Sequence, residues 1–198
     1  MSKRFSVLAL HFQNAVVHPE GVVARRGNAE QVIKRNVLAN VKRLFVSARE
    51  ASVPVIHVAS SSPPEPPAVS SSAPIFGSVH AQGVFERGSW GAAFHDEAVP
   101  ATGEAVLYHA GILSFPNTGL DDLLRRSGTT SVAVCGVATR LVVEAAVFEL
   151  TDRGFQTYLV EDCCACGRAD QHEQSLEILR NFATIVSSTD ASSLFGPT

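Results

Sequence analysis

The chain holds seven histidines and four cysteines. These side chains change charge or become nucleophilic closest to neutral pH. Two of the histidines stand in matching places: His11 directly after the β-forming run Phe5–Leu10, and His109 directly after Glu104–Tyr108. In open α/β sheets, ligands bind just past the carboxyl ends of the strands, so both imidazoles are candidates for one pocket. One neutral ring would act there as base toward water or substrate, and the other would donate to a developing negative charge. Proximity would lower the pKa of at least one of them. The alternative is a pair that merely fills a site without chemistry. His57 near the end of a second strand, Gly136-Val137-Ala138-Thr139 after a fourth and Asp162 after a fifth occupy equivalent positions.

The cysteines give a weaker signal. Cys163, Cys164 and Cys166 crowd into four residues, too tight for the usual zinc spacing. Neighbours on a strand point to opposite faces, so no metal is expected. A reactive thiol at a pocket rim is the other reading, since the run follows a strand end. Cys135 reads as a buried strand residue. Phe85, Trp90 and Phe115 can line a pocket for a flat or apolar ligand, although each fits a core as well. Thr139 reads mainly as a helix cap, because as a nucleophile it would need a base.

The elements that must position these residues follow from the apolar pattern. Strands are expected at Phe5–Leu10, Pro54–Ala59, Glu104–Tyr108, Ser131–Cys135, Thr157–Val160 and Thr184–Ser187. Most are continuous apolar runs, as in parallel strands covered on both faces. Helices should start at Asn28, Thr118 and Asp170, each followed three residues later by a Gln, Asp or Glu that can close a capping pair. The first runs through Ile33, Val37, Val41, Leu44 and Phe45, and the last through Leu176, Leu179 and Phe182. A further helix spans about 139–153, with Gly154 as its stop. Alternating β and α units imply a doubly wound three-layer α/β/α domain over residues 1–198, with a mostly parallel six-stranded sheet. The stretch 60–74, SSSPPEPPAVSSSAP, has neither period nor apolar content and is expected to be a mobile surface loop. The irregular segment Ile75–Trp90 could cover a pocket.

Composition narrows the function classes. The 198 residues are 45% hydrophobic and 18% charged, with a formal net charge of −3. That balance draws the chain toward neither nucleic acid nor an anionic membrane. Lys3 and Arg4 precede only the short apolar stretch Phe5–Phe12, with Gln13-Asn14 where a cleavage site would need small residues. A cytoplasmic chain with reduced thiols is expected. No apolar run approaches the roughly 18 residues a membrane span needs.

Five stretches taken together resemble the isochorismatase-like cysteine hydrolases. They are LALHFQNAVV near the start, GSWGAAFHDEAVP at 88–100, VLYHAGILSFPNTGLDDLLR at 106–125, VAVCGVATRLVVEAAVFELTDRGFQTYLVED at 132–162, and the His172 helix followed by SSTD. The resemblance covers nearly the whole chain and implies the α/β fold, small-molecule substrates, no cofactor, and assembly as homodimers or tetramers. Working members of that family use an aspartate, a lysine and a cysteine. The matching positions here carry His11, in His11-Phe12-Gln13-Asn14, then His109, and Val142, three residues after Thr139. Valine offers no nucleophile, so a thioester route has no atom to start from. The metal-binding branch has an acid beside the histidine of the second strand, where this chain has His57-Val58-Ala59-Ser60.

The resemblance further implies a cis peptide in Gly136–Thr139 and an oxyanion site on the N–H groups at the following helix start. It places a structural histidine at His172. At Arg140 the family often has an acidic or small residue; this arginine could bind a carboxylate or point to solvent. The expected site therefore comprises His11 and His109 as the acid–base pair, with Gln13, Phe85, Trp90, Phe115, Ala138, Thr139 and Val142 around the substrate. Two functions stay open: an enzyme acting on a small organic metabolite without a covalent step, or a non-catalytic ligand-binding or regulatory protein on an inherited fold.

Overall fold

Six apolar runs form the strands β1 (Phe5–Leu10), β2 (Val55–Ser60), β3 (Ala105–His109), β4 (Ser131–Val137), β5 (Gln156–Ala165) and β6 (Thr184–Val186). Between them stand α1 (Asn14–Val17), α2 (Asn28–Lys34), α3 (Val37–Glu50), α4 (Leu120–Arg126), α5 (Glu144–Asp152), α6 (Ala169–Leu179) and α7 (Ser188–Leu194). The computed structural model describes residues 3–61, 75 and 83–195.

The strands form one sheet in the order β3-β2-β1-β4-β5-β6, and every pairing is parallel. Every residue of β1 and β4 is buried, which requires cover on both faces and explains their unbroken apolar sequences. The chain winds outward from β1 through β2 to β3, then restarts beside β1 with β4. The crevice beyond the ends of β1 and β4 is thus the topological switch point, where such sheets bind ligands.

Several local expectations are corrected. The helix expected from Asn28 through Phe45 is two helices, broken where Asn36 takes a left-handed φ of 53°. The break lets the Arg35 side chain reach back to β5, where its Nε donates to Cys164 O and its guanidinium pairs with Glu161. Asn40 Nδ2 seals the gap by donating to Arg35 O and Asp162 O. Ile33, expected on the buried face, is 62% exposed.

Asn28 does not cap α2; Gly27 does, at φ 115°. A Cβ at Gly27 would lie 2.3 Å from Gly167 O, so the close approach of these two loops demands glycine. Gly119 and Arg168 similarly displace Thr118 and Asp170 from the cap positions of α4 and α6. The segment 139–153 opens as a π turn over Thr139–Val143 before α5 begins, and Gly154 stops it at φ 81°.

Strand β5 runs to Ala165 rather than Val160. Between Val134 and Gly136 of β4 its register shifts from Leu159 to Cys164, so extra β5 residues bulge out, and Asp162 lies within the strand. There it accepts from the Ser188 N–H and hydroxyl. Beyond Ser61, the Pro/Ser-rich stretch expected at 60–74 lies outside the described residues, as do 76–82 of the segment after it. Among the described residues, no helix is long and apolar enough to cross a membrane.

Candidate active site

A cavity of about 120 Å³ opens at the switch point. His11 forms its floor, and Val16, Phe85, Ile112, Val137, Ala138 and Val142 supply most of its wall, with Arg26, Asn28 and Ser60 adding polar groups. His11 leaves β1 in the left-handed region, at φ 58°. Its own N–H donates to Val58 O, which ties the turn to β2. Gln13, fully buried, braces the same corner: its amide donates to Ser60 O and Ala92 O and accepts from the Ser60 N–H. Gln13 thus holds Ser60 against the cavity without lining it.

The two histidines meet. His109 ends β3, two strands from β1, and its Nε2 lies 2.5 Å from His11 Nε2 across the end of β2. The contact fixes both tautomers. His109 Nδ1 lies 2.8 Å from Leu113 O, which can only accept, so Nδ1 carries the proton. Neutral His109 then has a bare Nε2, and the proton between the rings belongs to His11 Nε2. That leaves His11 Nδ1 as the acceptor nitrogen, on the ring that lines the cavity. Burial pushes the His11 pKa well below its usual value, and the charge of a protonated His109 would push it further. Burial also lowers His109, partly offset by its bond to Leu113 O. Both rings are therefore neutral at neutral pH.

The opposite wall is the turn after β4. The Val137–Ala138 peptide is cis, and the N–H groups of Leu141 and Val143 both return to Ala138 O. Ala138 and Val142, at the start of this helix, both line the cavity.

The sequence profile of the isochorismatase domain matches residues 6–191. The chain belongs to the isochorismatase family. A ureidoacrylate amidohydrolase of Methylobacterium radiotolerans is 25% identical over 200 aligned positions, covering 93% of this chain and 76% of that protein. An isochorismatase family protein of Escherichia coli O157:H7 is 33% identical over 63 residues, 32% of this chain and 34% of that one, so this match spans about a third of the relative's length. Among solved structures, a cysteine hydrolase from Pseudomonas syringae pv. phaseolicola 1448A superposes with a TM-score of 0.85, covering 97% of this chain and 92% of that one. At 17% identity that likeness is one of fold.

The remaining expected site residues of this family member are distributed differently. Phe85, Ala138 and Val142 line the cavity with His11. Trp90 lies on the surface, 51% exposed, with its ring edge-on to His18. Phe115 is buried under the Arg153 guanidinium, 4.1 Å from its ring centroid, and does not line the cavity. Thr139 is no cap. It is buried, with its hydroxyl 2.8 Å from His172 Nδ1, so His172 makes the structural bond expected of it. Arg140 faces outward to Gln174.

His57 points away from the site and bonds Glu104 between the rings of Phe45 and Phe94. The thiols stand apart from it too. All four are buried. Burial drives the pKa of Cys135 and Cys163 well up, and that of Cys164 to about 12, so none of these three is the reactive rim thiol considered above. Among the described residues, no group of three or more His, Cys, Asp and Glu side chains is placed to hold a metal. Arg26, Asn28 and Ser60 were missed as polar cavity residues. Asn28 gave a capping signal instead, and Ser60 opens the Pro/Ser-rich stretch.

Proposed function

We propose that this chain is an isochorismatase-family hydrolase of a small organic metabolite that works by acid–base chemistry, with no cysteine nucleophile. The observation that carries the reading is the contact of His11 Nε2 with His109 Nε2, with His109 Nδ1 in turn on Leu113 O; read as His11 Nε2–H to His109 Nε2 and His109 Nδ1–H to Leu113 O, it sets both tautomers. It presents a neutral imidazole, with Nδ1 unprotonated, on the floor of the cavity. His11 Nδ1 would take a proton from water as the water oxygen bonds to the substrate. The His11 Nε2 proton can move to His109, so the positive charge is shared between the rings. Negative charge developing on the substrate oxygen would meet backbone N–H groups at the helix start after β4, where Ala138 and Val142 line the cavity. The proton then returns through His11 to the leaving group. Val142 at the cavity wall supports a route without a covalent step, since it offers nothing to acylate. The apolar lining suits a small, flat or unsaturated substrate.

Turnover of a panel of small carboxamides, ureides and vinyl ethers tests the proposal. His11→Asn should lower kcat/KM by about 10²–10⁴-fold, the usual worth of a general base, while the fold survives, because asparagine tolerates the left-handed backbone. Because both pKa values are lowered, kcat/KM should stay level down to pH 6.5 and fall only in more acidic solution. Undiminished turnover in His11→Asn would sink the mechanism. Ligand-induced thermal stabilisation with no turnover of any substrate would favour a binding protein instead.

A further inference from the structure

The His109 tautomer depends on one carbonyl, and that carbonyl is carried by a loop held from behind. Residues 110–119, between β3 and α4, form neither strand nor helix. The Leu113 side chain is half exposed, so core packing does not set the direction of its carbonyl. The next residue does. Ser114 is fully buried, and its N–H donates to Glu149 Oε2 at 2.8 Å, with the Phe115 N–H at 3.4 Å from the same oxygen. Leu113 C=O and Ser114 N–H belong to one planar peptide unit and point in opposite directions. A bond that fastens the N–H on one side therefore aims the C=O on the other. Glu149 sits on α5, is buried, and lines no part of the cavity.

We propose that Glu149 is the positioning residue of the histidine pair, acting through the Leu113–Ser114 peptide on the His109 tautomer. The proposal rests on the acid–base reading of that pair. With the peptide released, His109 is free to carry its proton on Nε2. It would then donate to His11 Nε2, the His11 proton would move to Nδ1, and the ring on the cavity floor would offer a donor in place of a base. Arg153, on the turn after α5, closes the arrangement from outside, stacked on Phe115 and 3.9 Å from Glu149 Oε1.

The test is the imidazole ¹H–¹⁵N correlation spectrum of the full chain. Wild type should show His109 as the Nδ1–H tautomer and His11 as Nε2–H. Glu149→Gln keeps an acceptor for the Ser114 N–H and should preserve both. Glu149→Met, of similar volume but without an acceptor, should give mixed tautomers at His109. It should also lose about tenfold in hydrogen-exchange protection at the Ser114 amide, the worth of a charge-assisted bond. A single Nδ1–H tautomer retained in Glu149→Met would overturn the proposal. Should the methionine variant not fold, Glu149→Asp takes its place, since its carboxylate stops one methylene short of the Ser114 N–H; the same mixing is expected, and a retained tautomer again overturns it. Turnover separates the two readings. Activity lost in His11→Asn but intact in Glu149→Met removes Glu149 and leaves the acid–base reading standing. A wild-type spectrum with His109 as Nε2–H removes the acid–base reading, and this inference with it.

Discussion

The Thr139 hydroxyl and His172 Nδ1 lie 2.8 Å apart with both residues buried, at the point where the cavity turn meets α6. His172 Nε2 has no hydrogen-bond partner among the described residues and lies 3.8 Å from Glu161 Oε2. Burial, helped by the Arg35 charge, holds the His172 pKa down to about 4. The ring is therefore neutral, and the Thr139 bond is the one hydrogen bond its side chain makes among the described residues. Thr139→Val keeps the shape and removes that partner. The cost of stranding a buried polar nitrogen is about 1–3 kcal/mol, to be read as a lower urea midpoint. An unchanged midpoint would show that this contact contributes nothing. His11 and Val142 differ from Thr139 in kind: they face the cavity, so their substitution should register in turnover before stability.

Among the elements, β1 and β4 matter most, because the switch-point crevice lies between their ends. Gly136 makes their close approach possible. A Cβ there would lie 2.6 Å from Leu10 Cβ and from Leu10 O, and neither a strand backbone nor a buried leucine can move aside cheaply. Gly136→Ala should therefore destabilise the chain by about 1–3 kcal/mol through overpacking. It should also lower turnover, because Leu10 directly precedes His11. Denaturant unfolding and kinetics measured on the same variant check both. A stable variant with full activity would mean that β1 and β4 can separate without disturbing His11. The bulge in β5 and the break between α2 and α3 form a second linked pair of elements, joined by Arg35, Glu161 and Asn40.

Across the whole molecule, buried histidines set the response to acid. His11, His57, His109 and His172 all have lowered pKa values, with burial the leading cause. Below pH 6.5 the unfolded chain takes up protons at these residues ahead of the folded chain, so stability falls as pH drops through that range. Glu104 acts in the same direction at lower pH. Burial pushes its carboxyl up, but hydrogen bonds from Arg49, the Ala101 N–H and His57 outweigh this and hold it at about 2. Its contribution is present above its unfolded value of 4.5 and is lost as pH falls from there toward 2. Thermal unfolding should therefore show a lower Tm at pH 5 than at pH 7.5, and a steeper decline below pH 4.5. A level Tm between pH 7.5 and 5 would contradict the neutral, buried state of the four rings.

The strand–helix alternation was legible in the sequence because it is local: a continuous apolar run reports a covered strand wherever its neighbours lie. Phe5–Leu10 forms β1 as expected, and Gly154 stops its helix as a glycine should. That His11 and His109 follow strands was also legible. Their sharing one pocket could be proposed from those positions, but their direct contact could not be derived, because they are 98 positions apart and come together only through the strand order β3-β2-β1-β4, which depends on non-local pairing. Glu149 gave no signal, since a glutamate on an amphipathic helix reads as a solvated residue until a loop brings N–H groups to it. Trp90 and Phe115 misled for the same reason: an aromatic side chain shows what it can bury, not which surface it will face. The sequence by itself determined the elements and the family. Only the tertiary structure decided which histidine forms the cavity floor, which nitrogen it leaves unprotonated, and what holds that state in place, because hydrogen-bond partners distant in the chain are chosen by packing.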